Sequence, residues 1–244
     1  MASFLLIHGA WHGGWCFDRL RAVLEARGHV VAAPTLPGMG DDDTDIAAVT
    51  LDGWAQFVVA QARALPGPVI LVAHSRGGIV ASMAAERDPE AFAALVYLAA
   101  FLLPAGVTMI SARDAMPRNN AFETGLSASA RGAALALTPE AAIAAFYNDC
   151  TAQDQDANAA RIVPEPIAPL NTALAVTDAR FGSVPRHYIE CTLDEAIPLV
   201  QQRAMLEALP CASVTTLESG HSPFLSMPDR LADVLETIMQ RTGA

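Results

Sequence analysis

One short stretch of the sequence predicts a strand, a tight turn and a helix in immediate succession. Residues 68–73 read PVILVA, a run of branched apolar side chains that suits a buried strand, and a helix is predicted over residues 76–87. Between them lies Ser75, with the small residue Ala73 two positions before it and Gly77 two positions after it. This spacing follows the G-x-S-x-G pattern, apart from its first glycine, and places a serine hydroxyl above a sheet edge. Ser75 is therefore a candidate nucleophile, and the alternative is a serine that only caps the helix.

The rest of the chain alternates short apolar runs with amphipathic stretches, which indicates an α/β fold with a mostly parallel sheet of about six strands and flanking helices. Strands are predicted at residues 4–8, 29–35, 68–73, 92–99, 187–191 and 213–217. The alternation stops between residues 104 and 185, where prolines are frequent and strand signals are few. We therefore predict a core in two parts, residues 1–103 and 186–244, interrupted by a mostly helical cap insertion at residues 104–185.

A serine hydroxyl becomes a good nucleophile when an imidazole removes its proton and a carboxylate orients the imidazole. With a nucleophile of this kind the acid and then the histidine follow along the chain, each on a loop after a later strand. Among six histidines, only His221 lies in a glycine-containing loop between the last predicted strand and the last predicted helix. Asp194 follows the preceding strand, and Glu195 is its rival. The alternatives are an exposed loop histidine and an aspartate that caps a helix.

The same chemistry needs backbone N–H groups that bind the negatively charged oxygen of the tetrahedral intermediate. The first donor is expected from the residue after the nucleophile, Arg76, and the second from the loop after the first strand. That loop, residues 8–15, reads HGAWHGGW, and its glycines allow a ligand to approach the backbone closely. We predict Ala10 N–H as the second donor.

Composition limits the classes of partner. The chain has 244 residues, 52% of them hydrophobic, and a net charge of −11, which disfavours nucleic acid and an anionic membrane as partners. The longest apolar run, residues 91–103, is shorter than the roughly 20 residues of a spanning helix. The N-terminal residues are predicted to be a strand and not a signal peptide, and the four cysteines lack metal-ligand spacing. We expect a cytoplasmic protein with reduced thiols and without a cofactor or a metal, although Asp41, Asp42, Asp43 and Asp45 could form a cation site.

Three segments together resemble the plant methyl-esterase and hydroxynitrile-lyase branch of the α/β-hydrolases. They are the loop HGAWHGGW at residues 8–15, RFGSVPR at 180–186 and YIECTLDEAIP at 188–198. The resemblance implies the α/β-hydrolase fold, a triad of Ser75, Asp194 and His221, and an oxyanion hole formed by Ala10 and Arg76. It also implies that a pocket is lined by Phe101 and by apolar side chains of the cap. The predicted substrate-binding residues are Gly9, Trp11, Phe101, Phe122, Phe146, Tyr147 and Ser222.

Two positions depart from the lyases of this branch, which resemble one another in carrying threonine after the first loop histidine and lysine after the catalytic histidine. This chain has Gly9 and Ser222 there. We therefore expect a monomeric or homodimeric serine hydrolase of a small carboxylic ester, such as a methyl or aryl ester. The alternatives are hydroxynitrile lysis or other chemistry on the same triad, and a non-catalytic receptor for a small apolar ligand.

Overall fold

The computed structural model describes residues 1–40, 43–115 and 120–243. Its strands are β1 Ser3–Ile7, β2 Val30–Ala32, β3 Val69–His74, β4 Ala94–Leu98, β5 Leu126–Ser129, β6 Ala134–Leu137, β7 Glu165–Pro166, β8 Arg186–Cys191 and β9 Ser213–Leu217. Its α-helices are α1 Asp18–Ala26, α2 Leu51–Ala64, α3 Gly77–Arg87, α4 Met109–Asp114, α5 Asn120–Thr124, α6 Pro139–Phe146, α7 Ala152–Ala159, α8 Ile167–Leu170, α9 Leu199–Ala208, α10 Pro223–Ser226 and α11 Pro228–Thr242.

Six strands form one parallel sheet in the order β2-β1-β3-β4-β8-β9. The predicted α/β class with a parallel six-stranded sheet is confirmed. The strand order reverses between β1 and β3, so the loops that follow these two strands leave the same edge of the sheet side by side. In open α/β sheets, ligands bind at such an edge, outside the carboxyl ends of the strands.

The core lies on both faces of this sheet because the side chains of a strand alternate between its faces. Leu5 and Ile7 of β1 face one cluster of buried residues, which includes apolar side chains of α2 and α3. Phe4 and Leu6 face a second cluster, which includes apolar side chains of α1 and α11. The central strands are therefore apolar on both faces, as expected for a parallel sheet covered by helices.

Strand β2 is shorter than predicted. The sequence predicts residues 29–35, and the strand spans Val30–Ala32. Pro34 lies just beyond it, and a proline has no N–H group to donate to a neighbouring strand. The backbone therefore leaves the sheet before this residue.

The segment between β4 and β8 differs from the mostly helical prediction. It contains α4 to α8, but also a three-stranded antiparallel sheet in the order β5-β6-β7. These strands are short, and β5 and β6 read LSAS and ALAL. Alanine and serine carry little strand propensity, so the signal was absent from the sequence. The division into a core and an insertion at residues 104–185 stays a prediction.

The described ranges contain neither a membrane-spanning helix nor a metal-binding cluster. None of the helices there has the length and apolar character that a bilayer span requires. No group of three or more His, Cys, Asp or Glu side chains in residues 1–40, 43–115 and 120–243 is placed to hold a metal ion. Asp41 and Asp42 of the possible cation site lie outside the described residues, and Asp45 accepts a hydrogen bond from Ala47 N at 3.0 Å.

Candidate active site

Ser75 lies in a strained turn between β3 and α3. Its φ angle is +54°, in the left-handed region that non-glycine residues rarely adopt. A Cβ atom at Gly77 would lie 2.8 Å from the carbonyl oxygen of Ile7, and one at Gly78 would lie 2.3 Å from that of Phe101. The turn therefore needs small residues, because the backbone of β1 and the backbone of the segment after β4 approach it closely. Strain of this kind is found where a side chain must be held in one position for function.

The turn is anchored on both sides of the serine. Ser75 N donates to the carbonyl oxygen of Leu98 at 3.3 Å, and Phe101 N donates to Ser75 O at 3.0 Å. Ser75 is a buried residue, with 8% of its surface exposed.

His221 and Asp194 form a buried pair. Nδ1 of His221 lies 2.7 Å from Oδ2 of Asp194. With the proton on Nδ1, this bond leaves Nε2 of His221 as a proton acceptor. Asp194 Oδ1 also accepts hydrogen bonds from Ala196 N and Ile197 N, both at 2.8 Å, and these bonds fix the orientation of the carboxylate. Asp194 therefore also holds the turn that follows it, but it does not cap α9, whose N-cap residue is Pro198.

His221 contacts the serine turn at His74, the residue that precedes Ser75. The His74 and His221 rings are 4.4 Å apart between centroids, and His74 Nε2 donates to the carbonyl oxygen of His221 at 2.9 Å. Among the hydrogen bonds of the described residues, none joins Ser75 Oγ to His221. Catalytic hydrogen bonds are often long without substrate and shorten when it binds.

Gln202 of α9 holds the acid loop from behind. Its fully buried amide accepts from Cys191 N at 3.0 Å and donates to Ile197 O at 2.8 Å. The same amide nitrogen lies 3.3 Å from Asp194 Oδ2. No sequence pattern indicates this contact, because Gln202 is a single polar residue outside any motif.

Two residues that follow α6 hold the loops that carry Asp194 and His221. Asp149 Oδ2 accepts hydrogen bonds from Gly220 N at 2.7 Å and from Ser226 Oγ at 2.9 Å. Asn148 Nδ2 donates to the carbonyl oxygen of Leu193 at 2.9 Å. The segment between β4 and β8 therefore ties together the loop before His221 and the loop before Asp194.

The other histidines near Ser75 are buried and held neutral. Burial lowers the pKa of His12 to about 4, and it lowers the pKa values of His8 and His74 well below their usual range. His12 Nδ1 lies 2.6 Å from Ala10 O, so this nitrogen carries the proton and donates it to the carbonyl. Its Nε2 accepts from the Tyr147 hydroxyl at 2.7 Å. These histidines shape the loop after β1 and differ from His221, which pairs with a carboxylate.

Two backbone N–H groups near Ser75 are free. Within the described part of the chain, the amides of Ala10 and Arg76 donate to no protein acceptor. Buried N–H groups are nearly always paired, so two unpaired donors beside a buried serine are unusual. They are the two donors that the sequence predicted for an oxyanion.

A cavity of about 40 Å³ is bordered by Ser75 and Ala10. Trp11, at φ +59°, stacks on Phe146 with 5.9 Å between ring centroids and meets Phe122 edge-on at 5.6 Å. Apart from Arg113 and Ser75, the wall is apolar. The lining residues are Ala10, Trp11, Ser75, Phe101, Met109, Arg113, Phe122, Phe146, Ala196 and Ile197.

Four of the predicted substrate-binding residues line this cavity, namely Trp11, Phe101, Phe122 and Phe146. Three do not. A Cβ atom at Gly9 would lie 2.8 Å from Ser75 Cβ, so this glycine lies against the serine. Tyr147 is fully buried on His12, and Ser222 is fully buried next to His221.

Met109 and Arg113 of α4 line the cavity although the sequence did not single them out. Their position depends on how the segment after β4 folds back over the sheet. No local sequence pattern predicts this path of the chain. Ala196 and Ile197 also line it, and they lie in the acid loop that the sequence did single out.

Comparisons with known proteins show the family of the chain. The model of the alpha/beta hydrolase family matches residues 4–234. Methylesterase 7 of Arabidopsis thaliana is 33% identical over 98% of this chain and 96% of its own, and a pyrethroid hydrolase of Sphingobium wenxiniae is 29% identical over 96% and 86%. A crystal structure of an Arabidopsis methylesterase superposes with a TM-score of 0.85 at 25% identity, covering 98% of this chain and 99% of that one. The chain belongs to the alpha/beta hydrolase family, as an esterase-like member related to the methylesterases.

Proposed function

We propose that the protein is a serine hydrolase that cleaves a small carboxylic ester through Ser75, His221 and Asp194. The observation that carries the proposal is the position of Ser75, on a strained turn at an apolar cavity and beside the His221–Asp194 pair. A plain helix-capping serine needs neither the strain nor the pair. An intact set of three such groups also disfavours a receptor without catalytic activity, because binding alone requires none of them.

The proposed reaction proceeds through an acyl-enzyme. His221 Nε2 takes the proton of Ser75 Oγ as this oxygen attacks the ester carbonyl carbon. The carbonyl oxygen becomes negatively charged and accepts hydrogen bonds from Ala10 N–H and Arg76 N–H. His221 then protonates the departing alcohol, and Asp194 stabilises the charged imidazole meanwhile. Water repeats the sequence on the acyl-enzyme, releases the acid and restores Ser75.

The cavity favours an apolar substrate group of modest size. Trp11, Phe122 and Phe146 supply aromatic surface, and the free volume is small. Pockets of this kind select by apolar contact, with a few polar groups that set orientation. Relatives named methylesterase and pyrethroid hydrolase agree with an ester of this type, such as a methyl or aryl ester. We assign residues 104–185 to a cap that encloses this group.

Hydroxynitrile lysis is disfavoured by Gly9 and Ser222. A side chain at position 9 would collide with Ser75, since even a Cβ atom there lies 2.8 Å from Ser75 Cβ. Ser222 follows His221 and is buried without a charge that could hold cyanide.

We also assign the protein to the cytoplasm, because its described cysteines are free thiols, which reducing compartments favour.

The test compares the wild-type protein with Ser75→Ala on p-nitrophenyl acetate, followed by a panel of methyl esters, short-chain p-nitrophenyl esters and lactones. We expect turnover by the wild type and a loss on the order of 10⁶ in kcat for the variant. A folded Ser75→Ala variant that keeps most of its turnover would refute the assignment. Cyanide release from mandelonitrile above background would instead favour the lyase alternative.

A further inference from the structure

A fully buried ion pair lies beside the proposed oxyanion hole. Arg76 and Glu165 both have 0% side-chain exposure, and Arg76 Nε lies 2.9 Å from Glu165 Oε1. A hydrogen bond joins the same side chains, in which Arg76 Nη2 donates to Glu165 Oε2 at 3.5 Å. The guanidinium carbon also lies 4.3 Å from the centre of the Trp54 ring. Glu165 belongs to β7, in the proposed cap, whereas Arg76 follows the nucleophile directly.

The Arg76 side chain holds the peptide bond that carries the second proposed donor. Its terminal nitrogen Nη2 donates to the carbonyl oxygen of Gly9 at 2.9 Å. A trans peptide bond is planar, and its carbonyl and N–H groups point in opposite directions. Fixing Gly9 O therefore fixes the direction of Ala10 N–H. Arg76 thus supplies one donor from its own backbone and orients the other through its side chain, together with His8, whose Nδ1 also donates to Gly9 O at 2.9 Å.

Glu165 holds the next peptide bond of the same loop. Its Oε2 accepts from Trp11 N at 3.1 Å. The carbonyl of that peptide bond, Ala10 O, accepts from His12 Nδ1 at 2.6 Å. Both peptide bonds that flank the Ala10 Cα atom are therefore held by side chains. Trp11 keeps its left-handed φ of +59° under this constraint.

Stability alone is a poor explanation of the pair. Burial lowers the pKa of Arg76 and raises the pKa of Glu165, and their mutual attraction opposes both changes. Removing two charges from water is costly, and well-packed apolar residues often replace a buried ion pair without loss of stability. The pair does, however, provide directional contacts to Gly9 O and Trp11 N, which apolar side chains lack.

We propose that Arg76 and Glu165 are positioning residues, whose ion pair sets the direction of Ala10 N–H in the oxyanion hole and makes that direction depend on the cap. The inference rests on the proposed function. The backbone N–H of residue 76 is present whatever its side chain is. A substitution at this position therefore keeps the first donor and removes only the side chain that orients the second donor, Ala10 N–H.

The main test is the double variant Arg76→Met/Glu165→Leu, which removes both charges together. We expect it to keep the melting temperature of the wild type to within a few degrees. We expect kcat per titrated active site to fall about 10-fold to 100-fold, because small displacements of an oxyanion donor are costly. KM should change little. Affinity for a trifluoromethyl ketone, whose serine adduct places an oxyanion in the hole, should fall by the same factor as kcat.

A purely structural role of the pair would lower the melting temperature and the yield of active sites. It would leave kcat per active site and the affinity for the trifluoromethyl ketone unchanged. That result overturns the inference. If the double variant does not fold, Glu165→Gln decides, with Glu190→Gln as the control. Glu190 is also buried and pairs with Arg203 at 2.9 Å, away from Ser75. Loss of kcat and of ketone affinity in Glu165→Gln alone supports the inference, and equal behaviour of the two variants overturns it.

The wild-type protein tests the proposed function separately in the same assays. Absence of Ser75-dependent turnover would overturn the proposed function and this inference together. Wild-type turnover with an unchanged folded double variant would overturn this inference alone.

Discussion

His221 Nδ1 and Asp194 Oδ2 meet at 2.7 Å although 27 residues separate them in the chain. The loops after β8 and β9 bring them together, because parallel neighbours in a sheet end at the same edge. The other oxygen of Asp194 is held by Ala196 N and Ile197 N. The carboxylate is therefore fixed before His221 takes up a proton.

The first prediction compares Asp194→Asn with Glu195→Gln. The amide would disturb the Nδ1–H tautomer of His221, and we expect kcat to fall by about 10⁴. Glu195→Gln should stay within a few-fold of wild type, since Asp194 is the carboxylate in contact with His221. Initial rates on p-nitrophenyl acetate measure both. The opposite ranking would move the acid to Glu195.

The fold and the three triad candidates could be predicted because their signals are short patterns of neighbouring residues. The turn at Ser75 is encoded by neighbouring small residues, and Asp194 and His221 each follow a recognisable strand. Contacts between distant segments leave no such pattern. Glu165 and Asp149 are single acidic residues in a region of weak signal, and their partners Arg76 and Gly220 lie more than 70 residues away.

The second prediction concerns Asp149, which holds the loop before His221. Asp149→Ala removes the acceptor of Gly220 N, so the imidazole should lose its fixed position. We expect kcat to fall about 10-fold, within the range that small misplacements cause, with a smaller change in KM. Asp156→Ala on the exposed face of α7 is the control and should match wild type. Equal kcat values for the two variants would contradict the prediction.

The third prediction uses the close approach of Gly9 to Ser75. In Gly9→Ala the new Cβ would lie 2.8 Å from Ser75 Cβ, so one of the two backbones must shift. We expect a loss of about 10²-fold in kcat because the nucleophile moves. Gly182→Ala is the matched control, since its nearest contact is 3.3 Å. Full activity of folded Gly9→Ala would show that the turn tolerates a side chain there.

The fourth prediction concerns the pH dependence of stability. The pKa of His12 is about 4 in the folded protein and near 6.5 when unfolded. Between these values the unfolded chain binds a proton that the folded protein does not, so the free energy of unfolding falls as the pH falls from 6.5 to 4. Above 6.5 neither state carries the proton, and below 4 both do.

His12→Asn should lower the slope of the free energy of unfolding against pH by the contribution of one proton, about 1.4 kcal/mol per pH unit. Asparagine keeps an N–H near the position of Nδ1, so the contact with Ala10 O can persist. Urea unfolding at several pH values between 4 and 6.5 measures the slope. An unchanged slope would mean that His12 titrates normally in the folded protein.

The most direct test of Ser75 as the nucleophile is covalent labelling by a fluorophosphonate, with the labelled peptide identified by mass spectrometry. A serine activated by His221 and flanked by two oxyanion donors should react stoichiometrically, and esterase activity should disappear in proportion to the label. Ser75→Ala should take up no label. A wild-type protein that hydrolyses p-nitrophenyl acetate but carries the label on another residue, or none, would contradict the assignment of Ser75 as the nucleophile.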